Sequence, residues 1–229
     1  MTMRKQLMLL TALLLISCPI FAQDESAEES SSGGMAGTGD LLFEVTGTPF
    51  LGSSLLNFSE FRARYFLTED MAVRLGMDMN LNNNQQTPDV VVNDSYYGLM
   101  PGFEYHFVND GAFRSYAAAD LMFGQRIVSQ KSSTGPTVLG ASFDPGFYSP
   151  TDNLPNRAYM QFGGRISIGA EYYFGKRFYV GGEIGFQYIY RNNEEVFVDG
   201  ESFQAPTTDN FGFLNTTNAL KIGFRFLTL

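Results

Sequence analysis

"MAVRLGMDMNL", residues Met71 to Leu81, puts Met71, Val73, Leu75, Met77, Met79 and Leu81 at odd positions, with Ala72, Arg74, Gly76, Asp78 and Asn80 between them. Period-2 alternation this strict is a β-strand whose two faces meet different media. In a soluble sandwich the apolar face meets a core and the charged face meets water. A barrel in a membrane inverts this, with the apolar face outward in lipid and the charged face within. The rest of the chain decides between them.

The alternation recurs in eight segments, roughly 41–49, 57–68, 71–82, 95–107, 112–127, 157–174, 177–191 and 214–227. Tight links around Glu69, at 108–111 and at 175–177 alternate with longer connections at 50–56, 83–94, about 128–156 and 192–213. Short turns at one end and long loops at the other are the layout of a transmembrane barrel. Several segments also exceed the five or six residues usual in a soluble sandwich. One face gathers Phe61, Tyr65, Tyr97, Phe103, Phe162, Ile166, Phe178, Phe186, Ile222 and Phe224. Its aromatics concentrate near segment ends, as interfacial girdles require. Trp is absent, so Tyr and Phe fill that role. The fold expected is all-β, an eight-stranded antiparallel up-and-down transmembrane β-barrel over residues 41–229. Pro101 falls inside the fourth segment, where its missing N–H predicts a bulge or kink.

Upstream, "MTMRKQLMLLTALLLISCPIFAQ" has a basic start at Arg4 and Lys5, an apolar run and small Ala22 before Gln23. That is a secretory signal peptide, residues 1–22, cut after Ala22. "LISC" also fits a lipobox, which would lipidate Cys18 instead. With cleavage after Ala22 the only cysteine leaves, so neither disulfides nor thiol catalysis enters. Residues 23–40, "QDESAEESSSGGMAGTGD", are acidic and then Ser/Gly-rich, too polar to bury themselves, and predict a disordered linker. Losing Arg4 and Lys5 takes the basic residues from 15 to 13 against 24 acids. An acidic exported chain without a basic patch is no nucleic-acid binder.

The opposite face lists the barrel interior. Its acids are Glu44, Glu60, Asp78, Glu104, Asp120, Glu171 and Glu183; its bases are Arg62, Arg64, Arg74, Arg114, Arg126, Arg165, Arg191, Lys221 and Arg225. Eight strands leave an interior just wide enough for side chains to fill. Unpaired buried charge costs several kcal/mol per ion, so these sixteen groups are expected to pair. Two functions follow: a salt-bridged, mostly closed lumen with a structural role, or a narrow polar conduit for ions or small solutes.

With strands such as "FRARYFLTEDMAVRLGMDMN" and the ending "ALKIGFRF", the chain resembles the small outer-membrane β-barrels of the OmpX and OmpA-transmembrane-domain type, porin-like β-barrel domain proteins. The resemblance covers about 41–229. It implies residence in the outer membrane, among lipopolysaccharide and phospholipid, with both termini periplasmic, as a monomer inserted by the barrel-assembly machinery. It further implies a structural, adhesive or small-solute role. The family's closing strand usually ends in an aromatic residue; here Phe226 is followed by Leu227, Thr228 and Leu229. OmpA-like relatives carry a peptidoglycan-binding domain after the barrel, and no second-domain pattern follows the last segment here.

Some barrels of this size resemble lipid A deacylases, acyltransferases or surface proteases, whose chemistry needs a His near the outer rim. The single histidine, His106, falls at the periplasmic end, pointing inward beside Glu104. No catalytic, cofactor or metal residues are assigned, and no enzyme activity is expected. Loops are where such a scaffold carries function. Loop 128–156 holds several prolines and the aromatics Phe143, Phe147 and Tyr148. Loop 192–213 holds Glu194, Glu195, Asp199, Glu201 and Asp209 without calcium-loop spacing. Either loop is a candidate surface for a ligand.

Overall fold

Alternating sequence becomes a closed wall of strands in the computed structural model, which describes residues 34–49, 56–143, 156–175, 177–215 and 220–228. The strands are β1 (Asp40–Pro49), β2 (Leu56–Phe66), β3 (Met71–Thr87), β4 (Val90–Asp110), β5 (Phe113–Ser132), β6 (Val138–Leu139), β7 (Ala141–Ser142), β8 (Asn156–Arg157), β9 (Tyr159–Phe174), β10 (Phe178–Asn193), β11 (Val196–Val198), β12 (Glu201–Gln204), β13 (Thr207–Asn215) and β14 (Leu220–Thr228).

Antiparallel pairing runs β1–β2–β3–β4–β5–β9–β10–β14 and closes when β14 pairs back onto β1 from Gly47↔Leu220 to Asp40↔Thr228. The eighth stave comes in two pieces. β14 pairs with Phe178–Gly182 of β10, and β13 pairs with its loop-side half, Gly185–Asn193. Closure by β14 on β1 pairs both terminal strands at the turn-side half of the wall, as the absence of water in a bilayer demands.

The wall faces outward as the alternation requires. Phe61, Leu75, Phe103, Leu121, Ile166, Ile184 and Phe224, one from each of seven staves, are all exposed. Between them, Arg62, Arg74, Glu104, Asp120, Arg165, Glu183 and Lys221 are buried. An apolar belt encircling a polar interior is the surface of a protein that sits in a membrane.

The strands reach further than the hydrophobic alternation. Residues 83–94, expected as a loop, continue β3 and β4 as a ladder from Asn82↔Asp94 to Thr87↔Val90, turning only at Pro88 and Asp89. Likewise the last stave begins at Thr207 rather than near 214. The β3 arm of that ladder is polar, the β4 arm opens on three consecutive valines, Val90, Val91 and Val92, and β13 starts Thr207, Thr208, Asp209 and Asn210, so alternation is lost while the backbone ladder persists. The long loops also carry their own structure. β6 adds to the edge of β5, β11 pairs with β6, and β11–β12 form a hairpin turned by Asp199 and Gly200 at φ 50° and 88°. Such a turn needs two left-handed residues, which Asp-Gly supplies. Val138, Ala141, Phe143 and Val196 form a small buried core beneath it.

Two further expectations are corrected. Of the bulge or kink expected at Pro101, the bulge does not form. The register β4 holds to β5 is the same at Leu99↔Phe123 and Gly102↔Asp120, and the two pairs at Met100 and Pro101 simply drop out. A proline removes one donor, and a skipped rung accommodates that without an extra residue. The bulge lies instead between His106 and Val108. The linker is expected to run to Asp40, but within its last residues Ala36 is buried and Asp40 opens β1. Residues 1–33, which include the expected signal peptide, lie outside the described residues.

Candidate functional site: the charged lumen

Each stave turns alternate residues inward, and the middle of the barrel receives one or two charges from nearly every stave. β2 contributes Glu60, Arg62 and Arg64; β1, Glu44; β3, Arg74; β4, Glu104; β5, Asp120. β9 adds Arg165 and Glu171, β10 Glu183, and β14 Lys221, and all eleven are buried.

They form one connected network. Arg62 lies 2.7 Å from Glu44, 2.8 Å from Glu60 and 3.2 Å from Glu183. Arg64 reaches Glu104 at 2.6 Å, Glu171 at 2.7 Å and Glu44 at 3.4 Å. Arg74 grips Asp120 with two 2.6 Å hydrogen bonds and meets Glu183 at 2.9 Å and Glu104 at 3.0 Å. Arg165 joins Asp120 at 2.8 Å to Glu60 at 3.3 Å. Lys221 contacts Glu171 and lies 3.8 Å from Glu44. Every cation therefore faces two or three carboxylates. Paired forks of this kind satisfy several guanidinium donors at once and make the burial tolerable.

Hydroxyls complete the network, and the sequence reading missed them. Tyr116 donates to Glu183 at 2.5 Å, Tyr179 to Glu44 at 2.6 Å, Tyr173 to Glu171 at 3.0 Å and Ser167 to Glu183 at 3.1 Å. Parity signals them: Tyr116, Tyr173 and Tyr179 share the numbering phase of Arg114, Glu171 and Glu183 on their own strands. Room for two of the rings comes from glycine. A Cβ on Gly169 would strike the ring of Tyr116, and one on Gly223 the ring of Tyr179.

The other five charges named from the sequence are placed elsewhere. Arg126 makes a two-pronged contact with Asp94 at 2.6 and 2.8 Å, near the loop end. Arg225 lies 3.1 Å from Asp40 at the turn end. Both carboxylates fall in segments expected to be loop or linker. Arg114 meets no carboxylate among the described residues. It donates to Asn109 Oδ1 at 2.6 Å and to the Ala36 carbonyl at 2.8 Å, and its guanidinium covers the Phe66 ring at 5.0 Å. Arg191 stacks on Tyr159 at 4.1 Å and Phe211 at 4.7 Å. Asp78 makes no ion pair among the described residues, and its Oδ1 is buried without a hydrogen bond. The expectation that all sixteen pair with one another is thus corrected. Carbonyls and aromatic faces also satisfy a guanidinium.

Apolar strata bound the ionic one. On the loop side Met100, Met122 and Ile189 cluster, with Phe211 against them. Toward the turns Leu42, Phe66, Ala72, Tyr173 and Tyr179 cluster with Ala36. His106 lies among these, between the rings of Phe66 and Tyr116 at 5.2 and 5.3 Å, its Nε2 3.3 Å from Glu104.

At the loop end the carboxylates serve the loops themselves. Asp199 accepts from the Thr137 amide at 2.8 Å, Glu195 from Ser202 at 2.6 Å and Asp209 from Asn193 at 2.7 Å. Arg157 ties the segment down by donating to the carbonyls of Glu194 at 2.5 Å and Ala205 at 2.8 Å. Among the described residues no three His, Cys, Asp or Glu side chains are grouped to hold a metal ion. Phe147 and Tyr148 lie outside the described residues.

Among curated proteins none matches the sequence. Similar solved structures include the N-terminal β-barrel domain of Pseudomonas aeruginosa OprF, with 16% identity, a TM-score of 0.42, and coverage of 83% of this chain and 100% of that one. Ail, the attachment invasion locus protein of Yersinia pestis, is 12% identical with a TM-score of 0.39, covering 84% of this chain and 100% of that one. The outer membrane protein AlkL, determined in DMPC lipid bilayers, is 11% identical with a TM-score of 0.39, covering 89% and 93%. The family profile described as "Putative OmpA-OmpF-like porin family" matches residues 46–226, nearly the whole ring of staves. The chain is an outer-membrane β-barrel and belongs to the OmpA-OmpF-like porin family.

Proposed function

We infer that this barrel is a structural outer-membrane protein whose lumen is closed by its ionic stratum and whose loops meet any surface ligand. One observation carries the reading: five buried cations each bridge two or three carboxylates drawn from at least two different staves. An ion crossing the lumen would have to displace those contacts, and each stranded charge costs several kcal/mol. Lipopolysaccharide and phospholipid surround the apolar belt, the assembly machinery inserts the chain, and it works as a monomer. The loop segments 128–156 and 192–213 form the surface for adhesion or partner binding.

The family name and Asp78, which makes no ion pair among the described residues, favour a second reading, a narrow low-conductance porin. Conductance separates the two. The full chain is inserted into a planar bilayer after heat-modifiable gel migration has shown it folded. A silent bilayer is the expected result. Steady openings that scale with salt would overturn the closed lumen and make the inward Arg and Glu residues a selectivity filter.

A further inference from the structure

Two inward arginines each spend a donor on a main-chain carbonyl of the same short segment. Arg114, on β5, donates to the carbonyl of Ala36 at 2.8 Å; Arg225, on β14, donates to the carbonyl of Gly34 at 2.9 Å. Between these clamps Ala36 is buried, in one cluster with Leu42, Phe66, Ala72, Tyr173 and Tyr179, which come from five staves. A side chain that shares a cluster with inward residues of five staves lies inside the mouth. Gly34 and Gly39 bracket the segment at φ 74° and 84°, a left-handed backbone that glycine adopts without strain. Its return to the wall is locked as well: the Gly39 amide donates to Phe66 O at 2.9 Å and the Gly37 amide to Asp40 Oδ2 at 2.7 Å.

We propose that residues 34–39 are a stopper that seals the turn-side mouth of the lumen, with Ala36 as its tip and Arg114 and Arg225 as its clamps. The seal is separate from the ionic stratum and does not depend on it. Arg114 is the stronger clamp, because it also closes over the Phe66 and Tyr173 rings at 5.0 and 5.8 Å. The inward arginines that stand apart from the lumen carboxylates at this end thereby gain a purpose, which is to recognise peptide carbonyls.

Cysteine accessibility tests the proposal in the full chain with Cys18→Ser, in micelles, using a water-soluble maleimide and heat-modifiable migration as the check on folding. Ala36→Cys is expected to react about tenfold or more slower than Thr38→Cys, which lies on the exposed outer side of the segment. Adding Arg114→Ala is expected to bring the thiol at position 36 close to the rate at position 38, whereas Arg126→Ala at the opposite end leaves it slow. Equal rates at the two positions, or a rate at position 36 unmoved by Arg114→Ala, would overturn the seated tip. The sealing role has its own readout. Ala72→Cys, beneath the tip, is expected to react at least about fivefold faster once residues 34–38 are deleted. An unchanged rate at position 72 would show that the segment seals nothing. None of these results depends on whether the ionic stratum conducts.

Discussion

Arg64 and Arg126 are the same residue type, both turned inward from one wall, yet they live in different physics. Arg64 is fully buried among Glu44, Glu104 and Glu171, with the Tyr116 and Tyr179 rings 5.5 Å from its guanidinium. Arg126, where the lumen opens toward the loops, has a single carboxylate among the described residues, Asp94, and both partners remain partly exposed. Water screens the second pair and leaves it worth little. In the first, water is gone and every lost partner strands another charge. Depth along the barrel therefore decides whether an ion pair is architecture or decoration.

The comparison is broken most forcefully at its buried end. Arg64→Ala leaves Glu104 and Glu171 short of a cation, and the expected loss is about 3–5 kcal/mol in urea unfolding of the micelle-inserted barrel. Next comes the same kind of charge placed on the other side of the wall. Ile166→Arg puts a guanidinium at a lipid-facing position and is expected to cost about 2–4 kcal/mol if that site lies at the bilayer midplane. Its cost in vesicles of graded thickness reports its depth. Smallest is Arg126→Ala, expected to cost about 0.2–1 kcal/mol and to lose most of that effect in molar salt. A large effect at Arg126, or a small one at Arg64, would remove depth as the organising variable.

The wall itself was legible because lipid and lumen impose opposite demands on alternate residues. Met71–Leu81 shows it in eleven letters. Legibility stopped where that contrast stops. Beyond Leu81 the strand reads Asn82, Asn83, Asn84 and Gln85; with water on both sides nothing distinguishes the faces, although the ladder to β4 continues. Asp94 was lost as a partner for that reason, and Asp40 because it follows a Ser/Gly-rich run. Ala36 lay in the same run, where one small apolar residue gave no hint of a socket. The inward tyrosines were hidden by neighbours: in Tyr172-Tyr173 and Phe178-Tyr179 one aromatic faces lipid and the next faces the lumen. Composition averages such a pair, and only parity separates it. Partner choice inside the barrel was not legible at all, because which carboxylate meets which guanidinium depends on shear and rotamers.

Closing the ring has a kinetic consequence. β3 meets β4 across a local turn, but β1 meets β14 across almost the whole chain, and the Thr228 hydroxyl donates to Asp40 from 188 residues away. Contacts of such sequence separation carry the largest loop-closure cost and form slowly. The β1–β14 seam carries the largest such cost in the ring, and without it both terminal strands would present bare amides and carbonyls to their surroundings. Asp40, held by Thr228 and Arg225, is the clasp on that seam. Its side chain joins β1 to two residues that only a closed ring brings to it.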